Sequence, residues 1–209
     1  MEIFLSRIIQ FIIRIPIALI ALPFHECAHA FVAYKLGDTT AKERGRLTLN
    51  PLKHLDPLGT TLFVLLGFGW AKPVPVGMMR FKHPKRDMGI VALAGPLSNL
   101  LLAFVTLFVL VLTVDYLPYV IAEFVQIFVL LNITLAIFNL IPINPLDGSR
   151  ILGMFLPNSI YYTLMEYERY IMIGLMILLL FGAFGGFLSG AAQLIYTGMY
   201  KLIAAIVGI

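Results

Sequence analysis

The sequence predicts an all-α protein that crosses a membrane several times. Of its 209 residues, 60% are hydrophobic and only 12% are charged, whereas soluble domains carry roughly 25% charged residues. Several apolar runs reach the roughly 20 residues that a membrane-spanning helix needs. Because little polar chain remains for a separate soluble domain, we expect one membrane-embedded domain over residues 1–209.

About five spans are predicted. A first span from about Ile8 to Tyr34 carries Pro16 and Pro23, which should bend it. The two clearest spans are Gly89–Val114 and Leu117–Ile143, and the link between them is short enough to permit only a hairpin. Additional C-terminal helices are expected within residues 160–209, as one span over about residues 170–186 and a weaker one over 187–209, with a glycine-rich turn between them.

The region between the first span and the first of these clear spans is basic and holds one short apolar run. Ten of the fifteen Lys and Arg residues fall between Lys35 and Arg86. The run Leu58–Trp70 is too short to span comfortably, which favours a short re-entrant or β-like element. Since basic loops stay in the cytoplasm, this interpretation keeps both basic stretches on that side. The positive charge therefore indicates membrane orientation and not a nucleic-acid partner.

The most informative motif is His25-Glu26-Cys27-Ala28-His29, inside the predicted first span. Residues four apart share one face of a helix, so His25 and His29 could bind one metal ion, for which zinc is the best candidate. Glu26 projects about 100° from His25 and could reach water at the metal without becoming a ligand. Three ionisable groups in an apolar setting are costly and indicate a functional site.

A catalytic zinc ion needs three protein ligands and one open position, so a third ligand must come from elsewhere. His54 and His83 lie in basic, proline-containing loops and are expected at the surface. Glu123 lies near the outer end of its span. Asp147 follows a long apolar helix that returns to the depth of the histidines, and a proline and a glycine flank it. We therefore predict Asp147 as the third ligand.

Three motifs together resemble the site-2 protease family of intramembrane zinc metalloproteases. They are His25 to His29, Gly95-Pro96-Leu97-Ser98-Asn99, and Asn139-Leu140-Ile141-Pro142 leading into Asn144-Pro145-Leu146-Asp147-Gly148. The resemblance covers about residues 20–150 and follows the family's order. It implies that His25, His29 and Asp147 hold one Zn²⁺ per chain and that Glu26 is the general base. It also implies that Asn99 and Asn139 orient substrate or bind the developing oxyanion.

The resemblance further implies an endopeptidase that cuts transmembrane protein substrates near the cytoplasmic face of the cell membrane. Its catalytic core would cover about residues 8–150, in a minimal form without a PDZ-like or CBS-like module. A helical substrate must first be extended, and Arg46–Leu49 or Val74–Val76 could offer it a strand edge. A membrane metal or solute transporter, a non-catalytic protease-like scaffold and a lipid hydrolase remain alternatives. The sequence does not specify the oligomeric state.

Overall fold

The computed structural model describes residues 15–66 and 70–208, and all the regular elements in these ranges are helical. One antiparallel bridge, between Leu55 and Ala71, is the β-type pairing that occurs there. The α-helices of the described ranges are α1 (Leu22–Lys35), α2 (Thr40–Glu43), α3 (Pro51–His54), α4 (Pro57–Leu66), α5 (Pro84–Thr113), α6 (Tyr119–Leu140), α7 (Asp147–Gly153), α8 (Asn158–Glu166), α9 (Glu168–Leu180) and α10 (Gly185–Val207).

Three helices of the described ranges, α5, α6 and α10, are long and apolar enough to cross a membrane. A 3₁₀ turn at Val114–Tyr116 joins α5 to α6, which confirms the predicted hairpin. The predicted span over residues 170–186 is a helix of only 13 residues, α9, which is shorter than the roughly 20 that a perpendicular span needs. The first span begins, at Ile8, outside the described residues. The total of five spans therefore stays a prediction.

The predicted bend of the first span takes the form of a π-helical turn. Ile17–Ala21 is π-helical and leads directly into α1. Pro23, at the start of α1, cannot donate a backbone hydrogen bond to the preceding turn, and its ring crowds that turn. One widened turn between Pro16 and Pro23 accommodates both effects. The two histidines of the motif follow within the next two turns of α1.

The apolar core joins α5, α6 and α10. Leu107 of α5, Val129 and Ile133 of α6, and Ile203 of α10 are at most 1% exposed and belong to one cluster. A second cluster, on the other side of α5, packs Ala33 of α1 against Phe81 and Val91. Helix α5 is therefore held between α1 and the α6–α10 pair, and this arrangement fixes the position of the motif helix against α5.

The connection from α1 to α5 contains short helices and an extended segment, Ala71–Gly77. The backbone amide of Lys72 donates a hydrogen bond to the carbonyl of His54, at 2.8 Å. The predicted re-entrant or β-like run Leu58–Trp70 is helical over its described part, residues 58–66 of α4, and the β-type pairing of the described residues is the single bridge. That the run is re-entrant stays a prediction. His54 was expected at the surface, which is wrong: it is fully buried and donates from Nε2 to the carbonyl of Thr48, at 2.7 Å. His83 is exposed, as predicted.

A buried carboxylate ties the end of α1 to the extended segment. Asp38 is fully buried and accepts hydrogen bonds from the amide and hydroxyl of Thr40, at 3.0 and 2.5 Å, and from the amide of Gly77, at 2.6 Å. Burial alone would raise the pKa of Asp38, but these hydrogen bonds and the charge of Arg80 together lower it. The ionised form therefore stabilises the folded state.

We expect Asp38→Asn to destabilise the protein at neutral pH by about 1–3 kcal/mol. Because the folded pKa is lowered, the contribution of Asp38 is present above the ordinary aspartate pKa of about 4 and is lost as the pH falls through the folded value. Melting temperatures of the detergent-solubilised variant and wild type should therefore differ by a constant amount from pH 7 to about pH 5 and converge only as the pH falls below about 4. Asp115→Asn, at an exposed carboxylate, is the control. A difference that stays constant as the pH falls below about 4 would contradict this role.

Candidate functional site

The two histidines of the motif form a buried pair on α1. His25 is 6% exposed and His29 is 9% exposed. Their spacing of four residues stacks them on one helix face, where the rings meet edge to face with centroids 4.6 Å apart. The Nε2 atoms are 3.0 Å apart. The pair thus presents two nitrogen atoms to one point in space.

The outer nitrogen of each ring is bound to an acceptor on α5. Nδ1 of His25 donates to Oδ1 of Asn99, at 2.6 Å, and Nδ1 of His29 donates to the carbonyl of Val91, at 2.7 Å. Each Nδ1 therefore carries the hydrogen of the neutral ring, and each Nε2 keeps a lone pair. Such bonds fix the tautomer and the ring orientation of histidines that bind metal ions.

A chain of amides fixes the orientation of Asn99. Its Nδ2 donates to Oδ1 of Asn132, at 3.2 Å, and to the carbonyl of Ala21, at 3.4 Å. Asn132 in turn donates to the carbonyl of Phe128, at 2.9 Å. Since these acceptors take the Nδ2 end of Asn99, its oxygen must face His25. Asn99 and Asn132 are both fully buried, so this relay is shielded from water.

Asp147, which follows the end of α6, brings a carboxylate to the two Nε2 atoms. Its Oδ2 lies 3.1 Å from Nε2 of His25 and 3.4 Å from Nε2 of His29. Asp147 is the first residue of α7, after a non-helical turn that contains a cis Asn144–Pro145 bond. Gly148, the residue after Asp147, must be small, because a Cβ at this position would overlap with the carbonyl of Leu140 at the end of α6.

The three converging side chains fit a zinc ion. His25, His29 and Asp147 each offer one ligand atom, and these atoms all lie within 4.8 Å of one another. The Asp147 Oδ2 is buried and has no hydrogen-bond donor among the described residues, so the three side chains can direct their lone pairs at one cation. Ligand atoms of a tetrahedral zinc site with bonds of about 2.0 Å lie about 3.3 Å apart. The observed separations of 3.0–3.4 Å match this value.

Helix α5 approaches the histidines at a glycine. A Cβ on Gly95 would overlap with Nε2 of His29 and would lie 2.5 Å from Nε2 of His25. Glycine is therefore required where α5 crosses α1, although the sequence alone suggests only packing or a kink there. The hydroxyl of Ser98 donates to the carbonyl of Gly95, at 2.7 Å, which adds a bond within this part of α5.

Glu26 shares a cavity with the three candidate ligands. The cavity has a volume of about 600 Å³, and His25, His29 and Asp147 all line it. The Oε2 atom of Glu26 accepts the backbone N–H of Val74, at 2.9 Å. The site thus combines a potential metal centre and an adjacent carboxylate in one cavity.

The other walls of the cavity are both polar and apolar. Asn139 lines it and donates from Nδ2 to the carbonyl of Leu135, at 2.9 Å. Arg150 and Glu168 also line it and form an ion pair of 3.1 Å between α7 and α9. A second, apolar cavity of about 270 Å³ shares part of the wall, including Leu146. A ligand of mixed polarity would match this lining.

The structure brings most of the predicted site residues together and separates one of them. His25, His29, Asp147, Glu26 and Asn139 all line the cavity, whereas Asn99 lies behind His25 and is not part of its lining. A contact of Asn99 with substrate stays a prediction, while this position favours a role of Asn99 through His25.

Two contacts of the site were missed from the sequence. Asn132, a polar residue within an apolar span, gave a signal that could have identified it. Val74 contributes through its backbone and gave no such signal.

Comparisons with known proteins agree on one family. The profile described as peptidase family M50 matches residues 115–182. YwhC of Bacillus subtilis (strain 168) is 46% identical over 159 residues, which cover 73% of each chain. Rip2 of Mycolicibacterium smegmatis is 36% identical, covering 69% of this chain and 57% of its own, and MJ0611 of Methanocaldococcus jannaschii is 35% identical, covering 62% and 63%. All three are named as zinc metalloproteases. No solved structure matches significantly.

We expect Gly95→Ala to disrupt metal binding, because the new methyl group would displace both imidazoles. Zinc content of the purified protein should fall well below that of wild type, as measured by atomic emission. Gly190→Ala on α10, where a Cβ has no neighbour within 4 Å, is the control. Zinc content equal to that of wild type in Gly95→Ala would contradict this expectation, because it would show that α5 can shift away from the two histidines without loss of the metal site.

We expect Asn99→Leu to lower zinc affinity by about 10–100-fold, as is typical for the loss of a partner that orients a metal ligand. Competition with a chelator of known affinity would measure this loss. Thr134→Val serves as the control, since among the described residues the hydroxyl of Thr134 bonds to the carbonyl of Leu130 in its own helix and not to the site. Equal affinities of Asn99→Leu and wild type would mean that His25 needs no such partner.

Proposed function

This chain belongs to peptidase family M50, the site-2 protease family, and we propose that it is a zinc-dependent intramembrane endopeptidase. Its substrates are membrane proteins, which it cuts in or near their transmembrane segments. The observation that carries this proposal is the convergence of two buried imidazoles and one carboxylate in a cavity that also contains Glu26. The apolar helices α5, α6 and α10 support a location in the membrane.

His25, His29 and Asp147 are the proposed ligands of one zinc ion. When bound, zinc polarises a peptide carbonyl and brings the pKa of water at the site to about 7. The Nδ1–H bonds of both histidines keep their Nε2 lone pairs directed at the ion position. Asn99 is a positioning residue in this proposal, since it acts through His25.

Glu26 is the proposed general base. Its Oε2 accepts the amide of Val74, which leaves Oε1 to take the proton of the attacking water. Glu26 then passes this proton to the leaving nitrogen of the cleaved peptide bond. Asn139, on the cavity wall, has a second hydrogen on Nδ2 with which it can hydrogen-bond the substrate carbonyl or the developing oxyanion.

The substrate segment must be extended before its carbonyls can reach the site, because a helix hides them in internal hydrogen bonds. Of the two candidate strand edges, Val74 and Val76 line the cavity, and Arg46–Leu49 is not part of its lining. The substrate edge is therefore assigned to residues 74–76. The basic residues between Lys35 and Arg86 flank the site, so cleavage is expected toward the cytoplasmic side of the cell membrane.

We expect Glu26→Gln to abolish proteolysis while zinc binding is retained. The loss of a general base typically costs 10²–10⁴-fold in rate, and Glu26 is not among the proposed ligands. Quantitative membrane proteomes of cells that carry wild type or Glu26→Gln should differ in at least one truncated membrane protein, present only with wild type. Glu123→Gln, at an exposed carboxylate of α6, is the matched control.

The same comparison separates the proposed protease from other functions. A transporter needs ligands but no base, so metal flux that survives Glu26→Gln would contradict the proposal. A non-catalytic scaffold would give an intact cellular phenotype with Glu26→Gln and no cleavage product in either strain. A product lipid in place of a truncated protein would indicate a lipid hydrolase.

A further inference from the structure

We infer that the backbone amide of Val74 holds the Glu26 carboxylate in the orientation needed for proton transfer, so that Ala71–Gly77 is a positioning segment for the site. The inference rests on the proposed role of Glu26 as general base. Glu26 belongs to α1, but its carboxylate contacts a residue 48 positions further along the chain. Helix α1 therefore sets the position of Glu26, and the segment Ala71–Gly77 restrains the orientation of its carboxylate.

The contact is of a kind that can orient a carboxylate. The amide of Val74 lies 2.9 Å from Oε2 of Glu26, and hydrogen bonds to ionised acceptors are stronger than neutral ones. Glutamate has three rotatable side-chain bonds, so an unrestrained carboxylate would sample several orientations. One bond to Oε2 restricts this freedom and leaves Oε1 directed elsewhere in the cavity that Glu26 lines.

The segment is itself anchored on both sides of Val74. On one side, Lys72 donates its amide to the carbonyl of His54, at 2.8 Å, and its carbonyl accepts Nη2 of Arg46, at 2.5 Å. On the other side, the amide of Gly77 donates to Asp38, at 2.6 Å. Arg46, His54 and Asp38 are all at least nine-tenths buried. The amide of Val74 is therefore held in place by polar groups that water cannot easily displace.

Among residues 73–75, Val74 alone has a backbone N–H to donate. Pro73 and Pro75 flank it and have no N–H. Prolines also favour extended backbone at the residue before them, which lowers the entropy that the segment loses on folding. The pattern Pro-Val-Pro thus presents one N–H toward Glu26 from a backbone with few alternative conformations.

The decisive variant is Val74→Pro, which removes the N–H within a run that already contains prolines. Its control is Val74→Ala, which shortens the side chain and keeps the amide. We expect turnover of a transmembrane substrate to fall roughly ten-fold or more in Val74→Pro relative to Val74→Ala, because part of the general-base contribution is lost. The zinc content should be unchanged, whereas a general structural defect would lower it.

Arg46→Met tests whether the anchor acts through Val74. It removes the bond to the Lys72 carbonyl and should lower turnover by a smaller factor. In the double variant with Val74→Pro no further loss is expected, since both changes remove the same restraint. Full additivity would overturn the proposed connection between Arg46 and Glu26.

Amide hydrogen exchange tests the contact without any turnover. The Val74 amide should exchange at least about ten-fold faster in Glu26→Ala than in wild type, because its acceptor is gone. Equal exchange rates would overturn the inference. So would a Val74→Pro turnover equal to or above that of Val74→Ala, since the bond would then be irrelevant or would restrain Glu26 from acting. Failure of the proposed function would instead appear as identical proteomes for wild type and Glu26→Gln.

Discussion

Two imidazole nitrogens and one carboxylate oxygen converge on a single position among apolar helices, and much of the surrounding fold holds them there. Burying two imidazole nitrogens and a carboxylate oxygen without hydrogen-bond donors is costly, and a cation that they share removes the cost. The surrounding chain is arranged for this convergence. The Nδ1 bonds on α5 set the tautomers, Gly95 lets α5 approach, and Gly148 lets α7 begin beside the end of α6.

The ligands and the base are held by different parts of the chain. Interhelical contacts between α1, α5 and α7 position His25, His29 and Asp147. The loop segment Ala71–Gly77 contacts Glu26. The buried polar side chains of the loops support this segment, so that region is more than a linker between spans. The hydrogen bonds from these buried groups to the segment restrict its conformation, which suits a base that must face a reacting water.

Local periodicity predicted the features that depend on spacing along a helix. The pairing of His25 with His29 and the α5–α6 hairpin follow from spacing and run length alone, and the structure has both. The proximity of Asp147 was predicted from its depth, because a hairpin returns the chain to the level at which it began. The helix break before Asp147 agrees with the flanking proline and glycine.

Features that depend on tertiary contacts could not be predicted in this way. The burial of His54, the amide contact of Val74 and the position of Asn99 behind His25 arise from loops and helix rotation, which periodicity does not determine. Hydropathy predicted a span over residues 170–186, where the structure has the 13-residue helix α9. The two differ because an apolar run alone does not determine where a helix begins and ends.

The ligand set can be measured by X-ray absorption at the zinc edge, on the purified protein and on Asp147→Ala. We expect one zinc ion per chain, bound by two imidazole nitrogens and by oxygen at about 2.0–2.2 Å, with one oxygen ligand or the ion itself lost in the variant. A sulfur ligand, or an identical spectrum and stoichiometry in Asp147→Ala, would contradict this ligand set.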